Sequence, residues 1–326
     1  MKVLVIGHSM VHKRQQWFFE KLAKLTNHTF VVGPRFWHDM TIQDYEHQNY
    51  SIIGLSVTNA PDIFMYELIG LETIIKMARP DIIYCQAELR SRQAQKAMQI
   101  ASEEKIPLVI FVWENIFPPK SLEEQAVAEA CKKIVCGNSE ARHLLPHEFQ
   151  PKSIILPQVG IELDYFKPLP SVTQLYDVVF CGRPVFEKGI EIIKQGCNSL
   201  NCSLNIISNK PYEEIPKLLN EGRVFASLPV ATKTWKEQSG SYSNLEAMAC
   251  GLPVITTKCG AIPEYLSNAA AYCNEDDAED FIRVLKKMIF KEDFRDKHRD
   301  AGLEMARWYS NENIAGKLKD ELEACI

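Results

Sequence analysis

The chain has 326 residues, of which 46% are hydrophobic and 24% are charged, a composition typical of folded globular proteins rather than disordered ones. Its length favours two domains over one. The formal net charge of -5 at pH 7 gives no overall attraction for a polyanion, so we expect no nucleic acid partner.

The cysteine spacing predicts neither disulfides nor a metal site. The ten cysteines are scattered among apolar and small residues, without a CxxC pair or a Cys/His ladder of zinc spacing. We therefore expect free thiols and a reducing, cytoplasmic location. The first apolar run, Val3 to Ile6, is too short for a signal peptide or a membrane span. It predicts a buried first strand, and we expect no transmembrane segment.

Strand and helix patterns alternate in the first half of the chain. Lys2 to Gly7 predicts a strand, and Gln15 to Leu25, with apolar residues at helical spacing, predicts a helix. Because such alternation builds a parallel sheet covered by helices, this half is expected to be a Rossmann-like domain. Further predicted strands are 52–57, 81–85, 108–113 and 133–136, with helices at 63–77, 91–104 and from Ser139.

The same rhythm restarts after a connecting segment. Four prolines in Pro151–Pro170 favour a linker, which places the domain boundary near Lys167 and gives domains 1–167 and 168–326. Strands are predicted at 178–182, 203–208, 224–228 and 254–256, and the helical stretch 281–326 is expected to cross back to the N-terminal domain. Since open parallel sheets bind ligands at the carboxyl ends of their strands, we predict two doubly wound α/β domains facing a cleft.

The segment from Val179 to Gly189 presents two cations. A buried strand ends at Gly182, and Arg183 and Lys188 follow before the next helix. Cations at the carboxyl end of a strand, beside a helix N-terminus, are suited to a diphosphate. The alternative is that both are solvated loop charges.

A second segment, Gln238 to Thr257, has a glycine- and serine-rich loop that opens a short helix ended by Gly251. Backbone N–H groups of this loop are suited to phosphate, and Glu246 to the paired hydroxyls of a sugar. The alternative is that its serines and glycines are ordinary N-cap and turn residues.

Together these segments resemble the family 4, or group 1, glycosyltransferases of GT-B fold. The run Glu246–Ile255, continued by Gly260–Glu264, is similar to the hallmark run of the family. Gly182-Arg183 with Glu187–Gly189 is similar to its diphosphate-binding loop. The resemblance also includes the interdomain stretch 159–168 and the N-terminal segments 79–83 and 136–140.

The resemblance implies a hexosyltransferase-like enzyme that moves a sugar from a nucleotide-diphosphate sugar to an acceptor hydroxyl in glycan biosynthesis. It implies retention of configuration and no metal or cofactor, because protein cations stabilise the departing diphosphate. Arg183 and Lys188 would supply that charge, and Glu246 would hold the ribose. The implied donor-binding residues are Gly182, Arg183, Lys188, Ser241, Tyr242, Ser243, Asn244 and Glu246.

The chain departs from the family where a carboxylate usually stands eight positions before Glu246. Gln238 occupies that position, and Glu237 is adjacent but out of register. Because an amide still hydrogen-bonds hydroxyls, we interpret Gln238 as a catalytic residue for an altered donor, or as the sign of a shifted loop.

A second departure follows the strand 108–112, where the family often has a histidine and this chain has Trp113-Glu114-Asn115. Trp113 is predicted to stack on a sugar or acceptor, Glu114 to act as a base, and Asn115 to hydrogen-bond the acceptor. The alternative is that Trp113 is core and Glu114 a loop charge. His8 and Ser9, in a first loop with a single glycine, are further acceptor-side candidates.

The first predicted helix suggests what the acceptor is. Lys13-Arg14 with Trp17, Phe18 and Phe19 form a candidate basic and aromatic face for a lipid-linked or anionic acceptor, with peripheral membrane contact. A core aromatic stripe with solvated cations is the alternative. Glycan, lipid-linked and protein acceptors all stay open at this stage.

Three other functions compete with an active transferase. Gln238 and the missing histidine favour a non-catalytic member that binds a nucleotide sugar or a partner. An epimerase or a phosphorylase shares the two-domain architecture, but no pyridoxal lysine site is found for the latter. Nicotinamide binding is disfavoured, since no GxGxxG follows the first strand.

Overall fold

The computed structural model describes residues 1–326 and divides the chain into two compact units. The N-terminal unit comprises Met1–Gly160 and Asn311–Ile326, and the C-terminal unit comprises Ile161–Ser310. Each unit is built on a mainly parallel sheet, as the alternating strand and helix patterns predict.

The N-terminal unit contains twelve strands and five helices before the chain leaves it. Its strands are β1 (Lys2–Gly7), β2 (His28–Pro34), β3 (Phe36–Trp37), β4 (Met40–Thr41), β5 (Tyr45–His47), β6 (Tyr50–Leu55), β7 (Val57–Thr58), β8 (Glu67–Leu68), β9 (Ile82–Gln86), β10 (Leu108–Val112), β11 (Lys133–Cys136) and β12 (Ser153–Ile155). Its helices are α1 (Lys13–Ala23), α2 (Leu71–Ala78), α3 (Arg92–Glu104), α4 (Leu122–Ala130) and α5 (Ser139–Leu144).

Eight of these strands form one sheet in the order β12-β11-β10-β9-β1-β2-β6-β5. All neighbours are parallel except β5 and β6. Val3 to Ile6 of β1 are fully buried, as expected for a β-branched central strand covered on both faces. The register aligns Gly7 with Gln86, so the carboxyl ends of β1 and β9 lie side by side.

The predicted helix 63–77 is wrong in its first half. The Asp62 carboxylate accepts the backbone N–H groups of Phe64 and Met65, at 2.9 and 3.2 Å, and closes a turn there. Asp is a frequent turn residue because its side chain competes for such backbone groups. The helix α2 begins only after Gly70, whose φ is +85°.

The aromatic face predicted on α1 is largely core. Phe18 and Phe19 are fully buried, and their rings meet edge to face at 5.0 Å. The alternative interpretation, a core stripe at helical spacing, is therefore correct for these two side chains.

The C-terminal unit has a five-stranded, wholly parallel sheet in the order β14-β13-β15-β16-β17. The strands are β13 (Tyr176–Cys181), β14 (Leu204–Ile207), β15 (Gly222–Ala226), β16 (Val254–Thr256) and β17 (Ala271–Tyr272). The helices are α6 (Ile190–Ser199), α7 (Ile215–Asn220), α8 (Tyr242–Ala249), α9 (Ile262–Leu266), α10 (Ala278–Phe290) and α11 (Glu292–Trp308).

Helices cover both faces of this sheet. Val178 and Phe180 of β13 belong to an apolar cluster with α6 and α10, whereas Val179 between them belongs to a cluster with α8 and α9. This split follows from the alternation of side chains along a strand. It is the doubly wound arrangement that the sequence predicts.

The chain changes units before the predicted boundary at Lys167. Ile161 already donates its N–H to the Tyr309 carbonyl, at 2.7 Å, and Phe166 is buried in the C-terminal core. The proline-containing linker therefore contributes an apolar anchor, which is why composition alone placed the boundary too late.

The last helix, α12 (Asn311–Glu323), belongs to the N-terminal unit and packs against α1. It buries one apolar face, formed by Ile314, Ala315, Leu318 and Leu322. Ion pairs join Lys21 to Glu312, at 2.6 Å, and Lys133 to Glu321. None of the helices described is both long and apolar enough to cross a membrane.

We predict that Leu318→Ala destabilises the N-terminal unit by about 2–5 kcal/mol, because Leu318 is 1% exposed and its loss leaves a cavity. Leu122→Ala is the matched control, since Leu122 is 80% exposed, and should change the free energy of unfolding by less than about 0.5 kcal/mol. Urea unfolding measures both. Equal effects would contradict the docking of α12.

Candidate functional site

The loop after β13 brings Lys188 to the carboxyl edge of the C-terminal sheet. The strand is followed by Gly182 and Arg183 and then by a short 3-10 turn, Phe186–Lys188. Gly189, with φ of +65°, ends this turn, and a Cβ at that position would lie 2.2 Å from the Leu228 carbonyl oxygen. Only glycine fits there, so the backbone fixes where Lys188 projects.

The two predicted cations have different environments. Arg183 is exposed, whereas the side chain of Lys188 is only 19% exposed and forms an ion pair with Glu237. The Lys188 ammonium also lies 5.0 Å from the centre of the Trp235 ring, within the range of a cation–π contact. Lys188 is therefore held by the segment that leads into α8.

The glycine- and serine-rich loop lies immediately before α8. Gly240 packs against Tyr265, whose Cβ would be 2.6 Å from a Cβ added at Gly240. Ser241 is the N-cap with φ of 57°, and the Asn244 side chain donates to the Gly240 carbonyl at 3.0 Å. The loop is thereby held in one shape: the N–H of Ser241 donates to the Ser239 hydroxyl at 3.2 Å, and the N–H of Asn244 donates to the Ser241 carbonyl at 2.9 Å.

Glu246 lies one turn further along α8 and is buried. The hydroxyl of Tyr212 donates to its Oε1 at 2.6 Å. Tyr212 follows Pro211 in the segment after β14, so a residue from a neighbouring strand end orients the carboxylate that the sequence singled out.

The neighbouring side chains of Gln238 and Glu237 differ in their exposure to solvent. Gln238, which occupies the expected carboxylate position, is exposed, whereas Glu237 is buried against Lys188. The backbone of Glu237 is held by Gly260 and by the N–H of Ala261, which donates to the Glu237 carbonyl at 2.9 Å. Glu237 is therefore the carboxylate that the fold places beside the predicted phosphate-binding cation.

In the N-terminal unit, His8 and Ser9 lie at the carboxyl edge of β1. The His8 ring packs beside Trp37 and Tyr66, at 5.1 and 5.6 Å, and its Nδ1 is buried without a hydrogen-bond partner. Burial lowers the pKa of His8 to about 4, so its imidazole is neutral at pH 7. Ser9 donates to the Gln86 side chain at 3.2 Å.

The three residues after β10 are packed against, or bonded to, other residues of the N-terminal unit. Trp113 packs over Gly137, where an added Cβ would lie 2.3 Å from its ring. Glu114 pairs with Arg90 at 2.9 Å, and its other oxygen accepts the N–H groups of residues 116 and 117. Asn115 is buried. These contacts favour a packing role for Trp113 and a loop-ordering role for Glu114.

Glu88 lies two residues beyond the end of β9. Its carboxylate accepts the N–H groups of Trp113 and Glu114, at 2.7 and 3.2 Å. Burial raises the pKa of Glu88 to about 7, although the Trp113 N–H acts in the opposite direction. Glu88, Arg90 and Glu114 line a small pocket.

Residues 166–305 match the family described as glycosyl transferases group 1. The C-terminal unit is a group 1 glycosyltransferase domain. In sequence, the chain is similar to one component of the phosphatidylinositol N-acetylglucosaminyltransferase of Arabidopsis thaliana, with 22% identity over 188 residues. That match covers 48% of this chain and 40% of the length of the relative.

Solved structures resemble the chain along almost its whole length. Sucrose-phosphate synthase from Thermosynechococcus elongatus has a TM-score of 0.74 at 13% identity, with both chains fully covered. A glycosyltransferase from Rickettsia africae has a TM-score of 0.76 at 14% identity, covering 99% of this chain and 98% of that one. HepE of Anabaena, in complex with UDP, has a TM-score of 0.69 at 12% identity, with 99% and 100% covered. The GT-B fold class predicted from the sequence is confirmed.

Two further polar residues that follow buried strands were not singled out from the sequence. Tyr212 comes after β14 and Glu88 after β9. The rule that identified Arg183 and Lys188, polar groups at the carboxyl ends of parallel strands, applies equally to both. Neither residue belongs to a recognisable motif, and their partners are distant in sequence.

We predict that Glu88→Gln flattens the pH dependence of stability. A carboxyl whose folded pKa of about 7 exceeds its ordinary 4.5 contributes stability that is present below pH 4.5 and is lost as the pH rises through 7. From about pH 5 to about pH 8 the wild-type protein should lose more unfolding free energy than the variant, as measured by urea unfolding. Glu191→Gln, at an exposed carboxylate, is the control and should keep the wild-type slope.

Proposed function

We propose that the protein transfers a sugar from a nucleoside-diphosphate sugar to an acceptor hydroxyl, with retention and without a metal. The observation that carries this proposal is the placement of Lys188 at the carboxyl edge of β13, joined through Glu237 to the loop that opens α8. A cation and a helix N-terminus together are suited to bind the negative charge of a diphosphate. The structure of HepE with UDP-glucose supports this donor class.

In the proposed reaction, the bond between the anomeric carbon and the β-phosphate oxygen breaks, and the electron pair leaves with the nucleoside diphosphate. Lys188, Arg183 and the amides at Ser241–Asn244 stabilise that charge. The acceptor oxygen forms the new bond to the anomeric carbon, and its proton passes to the departing diphosphate. Gln238 lies in the loop beside these groups and is proposed to contact the transferred sugar.

Glu246 is proposed to bind the two ribose hydroxyls. A carboxylate accepts two hydrogen bonds from such a pair, and the Tyr212 hydroxyl fixes its orientation. Pre-orientation lowers the cost of ordering the side chain when the ligand binds.

The N-terminal unit is proposed to bind the acceptor in the cytoplasm, with His8, Ser9 and the polar groups after β9 and β10 as its candidate contacts. The name of the Arabidopsis relative supports a lipid-linked acceptor, which would bring the protein to a membrane surface. The ten free cysteines fit a reducing compartment.

A second candidate is binding of the nucleotide sugar without turnover. The exposed amide of Gln238, in place of the usual carboxylate, favours it. Release of sugar or of nucleoside diphosphate from a bound donor, with and without acceptor extract, separates the two functions. A protein that binds donor but never cleaves it supports the second.

We predict that one of UDP, GDP and ADP binds in the presence of EDTA, as measured by calorimetry, and that Lys188→Ala weakens this binding at least tenfold. A charge-assisted hydrogen bond of about 1.5–3 kcal/mol sets that scale. Lys194→Ala, at an exposed lysine of the same unit, is the control. Because Lys188→Ala leaves Glu237 buried without its cation, a Lys188→Met/Glu237→Gln double variant checks that the loss is not one of folding. Binding that depends on a metal, or that survives both Lys188 variants, would contradict the proposal.

We predict that the best-binding nucleoside diphosphate binds more tightly than its 2′-deoxy form in the wild-type protein, and that Glu246→Ala removes the difference. Tyr212→Phe should weaken binding by about fivefold, the scale of one hydrogen bond. Tyr45→Phe, at an exposed position, is the control. A preference for the ribose form that persists in Glu246→Ala would place the ribose elsewhere.

A further inference from the structure

The ion pair between Lys188 and Glu237 is largely withdrawn from solvent. The side chain of Lys188 is 19% exposed and that of Glu237 is 8% exposed. Two buried charges attract each other strongly, but only while both are present, because an uncompensated buried charge is costly. Separating the two side chains therefore costs free energy unless another charged group replaces the lost partner.

Glu237 is the fixed member of the pair. A Cβ added at Gly260 would lie 2.1 Å from the Glu237 carbonyl oxygen and 2.9 Å from its nitrogen, so the two backbones are in close contact. The N–H of Ala261 also donates to that carbonyl. Lys188, in contrast, carries its charge on a flexible four-carbon stem. An exchange of partners therefore requires movement of the lysine.

The ammonium of Lys188 is already occupied before a ligand arrives. The Glu237 carboxylate neutralises it, and the ring of Trp235 lies beneath it at 5.0 Å. A diphosphate that approaches the loop meets a cation paired with a carboxylate, and it meets that carboxylate as a like charge.

We propose that Glu237 competes with the donor diphosphate for Lys188, a role that rests on the proposed function of the site. On donor binding, the lysine moves from the carboxylate to the phosphate oxygens. After transfer, the ion pair re-forms as the nucleoside diphosphate departs. Glu237 thus weakens the binding of donor and product alike and speeds product release.

This competition differs from a positioning role. If Glu237 instead aimed the lysine at the phosphate, its removal would weaken binding, because the lysine would lose its orientation. If Glu237 competes, its removal strengthens binding, because no ion pair has to be broken. The direction of one affinity change therefore separates the two.

The test is the affinity of Glu237→Gln for UDP, GDP and ADP, measured by calorimetry beside the wild-type protein. Glutamine keeps the size of the side chain and removes its charge. We expect the best-binding diphosphate to bind about tenfold or more tightly to the variant, and its dissociation in stopped flow to slow correspondingly. Glu191→Gln also removes one negative charge from this unit, at an exposed ion pair, and should change the affinity less than twofold.

Trp235 provides a second readout. When a diphosphate binds to the wild-type protein, movement of Lys188 away from the Trp235 ring should change the tryptophan fluorescence. Trp235→Phe should remove that change. In Glu237→Gln the change should saturate at lower diphosphate concentration.

The outcomes are distinguishable. If the wild-type protein binds a diphosphate and Glu237→Gln binds it equally or more weakly, with an unchanged thermal midpoint, the competition is overturned and the proposed function stands. If Glu237→Gln unfolds early, Glu237→Asp replaces it: the shorter side chain weakens the ion pair with Lys188, so competition predicts tighter binding than in the wild-type protein, and equal or weaker binding overturns the proposal. If none of the three diphosphates binds wild type or Glu237→Gln, the proposed function fails as well.

Discussion

The charged groups at the edge of the five-stranded sheet are organised by one ion pair, between Lys188 and Glu237. It joins the loop after β13 to the loop before α8, two segments that are 49 residues apart in sequence. Because the pair is largely buried, each loop needs the other to keep its charge compensated. Two glycines allow the neighbouring backbone segments to pack this closely: a side chain at position 189 would clash with the Leu228 carbonyl, and one at position 260 would clash with the backbone of Glu237.

The same edge also collects the groups suited to the rest of a nucleoside diphosphate. The N-terminus of α8 and its buried Glu246 lie on one short helix, so the proposed phosphate-binding and ribose-binding groups are separated by about one helical turn. The apolar side chains of α8, among them Leu245 and Met248, anchor it in the core. A rigid helix is a suitable base for polar groups that must hold their geometry.

The sequence was sufficient to predict the fold, and its motifs were sufficient to single out Lys188 and Glu246 as candidate site residues. Strand and helix periodicity is local, and so are the motifs around Lys188 and Glu246, whose residues are close in sequence. The pairing of Lys188 with Glu237 was not predictable from the sequence. The spacing of eight residues before Glu246 pointed to Gln238, whereas the conformation of the folded loop determines which of the two side chains is buried.

The N-terminal unit shows the same limit of local patterns. Trp113 and Glu114 were interpreted by their place after a strand, but their environment is set by Gly137, Arg90 and Glu88, which come from other segments. The aromatic residues of α1 fit both a core and an exposed face until α12, from the far end of the chain, is seen to pack against that helix. Contacts between distant segments decide these cases.

The C-terminal unit is proposed to bind a nucleoside diphosphate where β13 and α8 meet. A crystal structure of the protein with the best-binding of UDP, GDP and ADP tests it most directly. We expect phosphate oxygens within hydrogen-bond distance of the amides at Ser241–Asn244, the Lys188 ammonium on the diphosphate rather than on Glu237, and the ribose on Glu246. A nucleotide bound elsewhere, or bound with the Lys188–Glu237 pair intact and remote from phosphate, would contradict it.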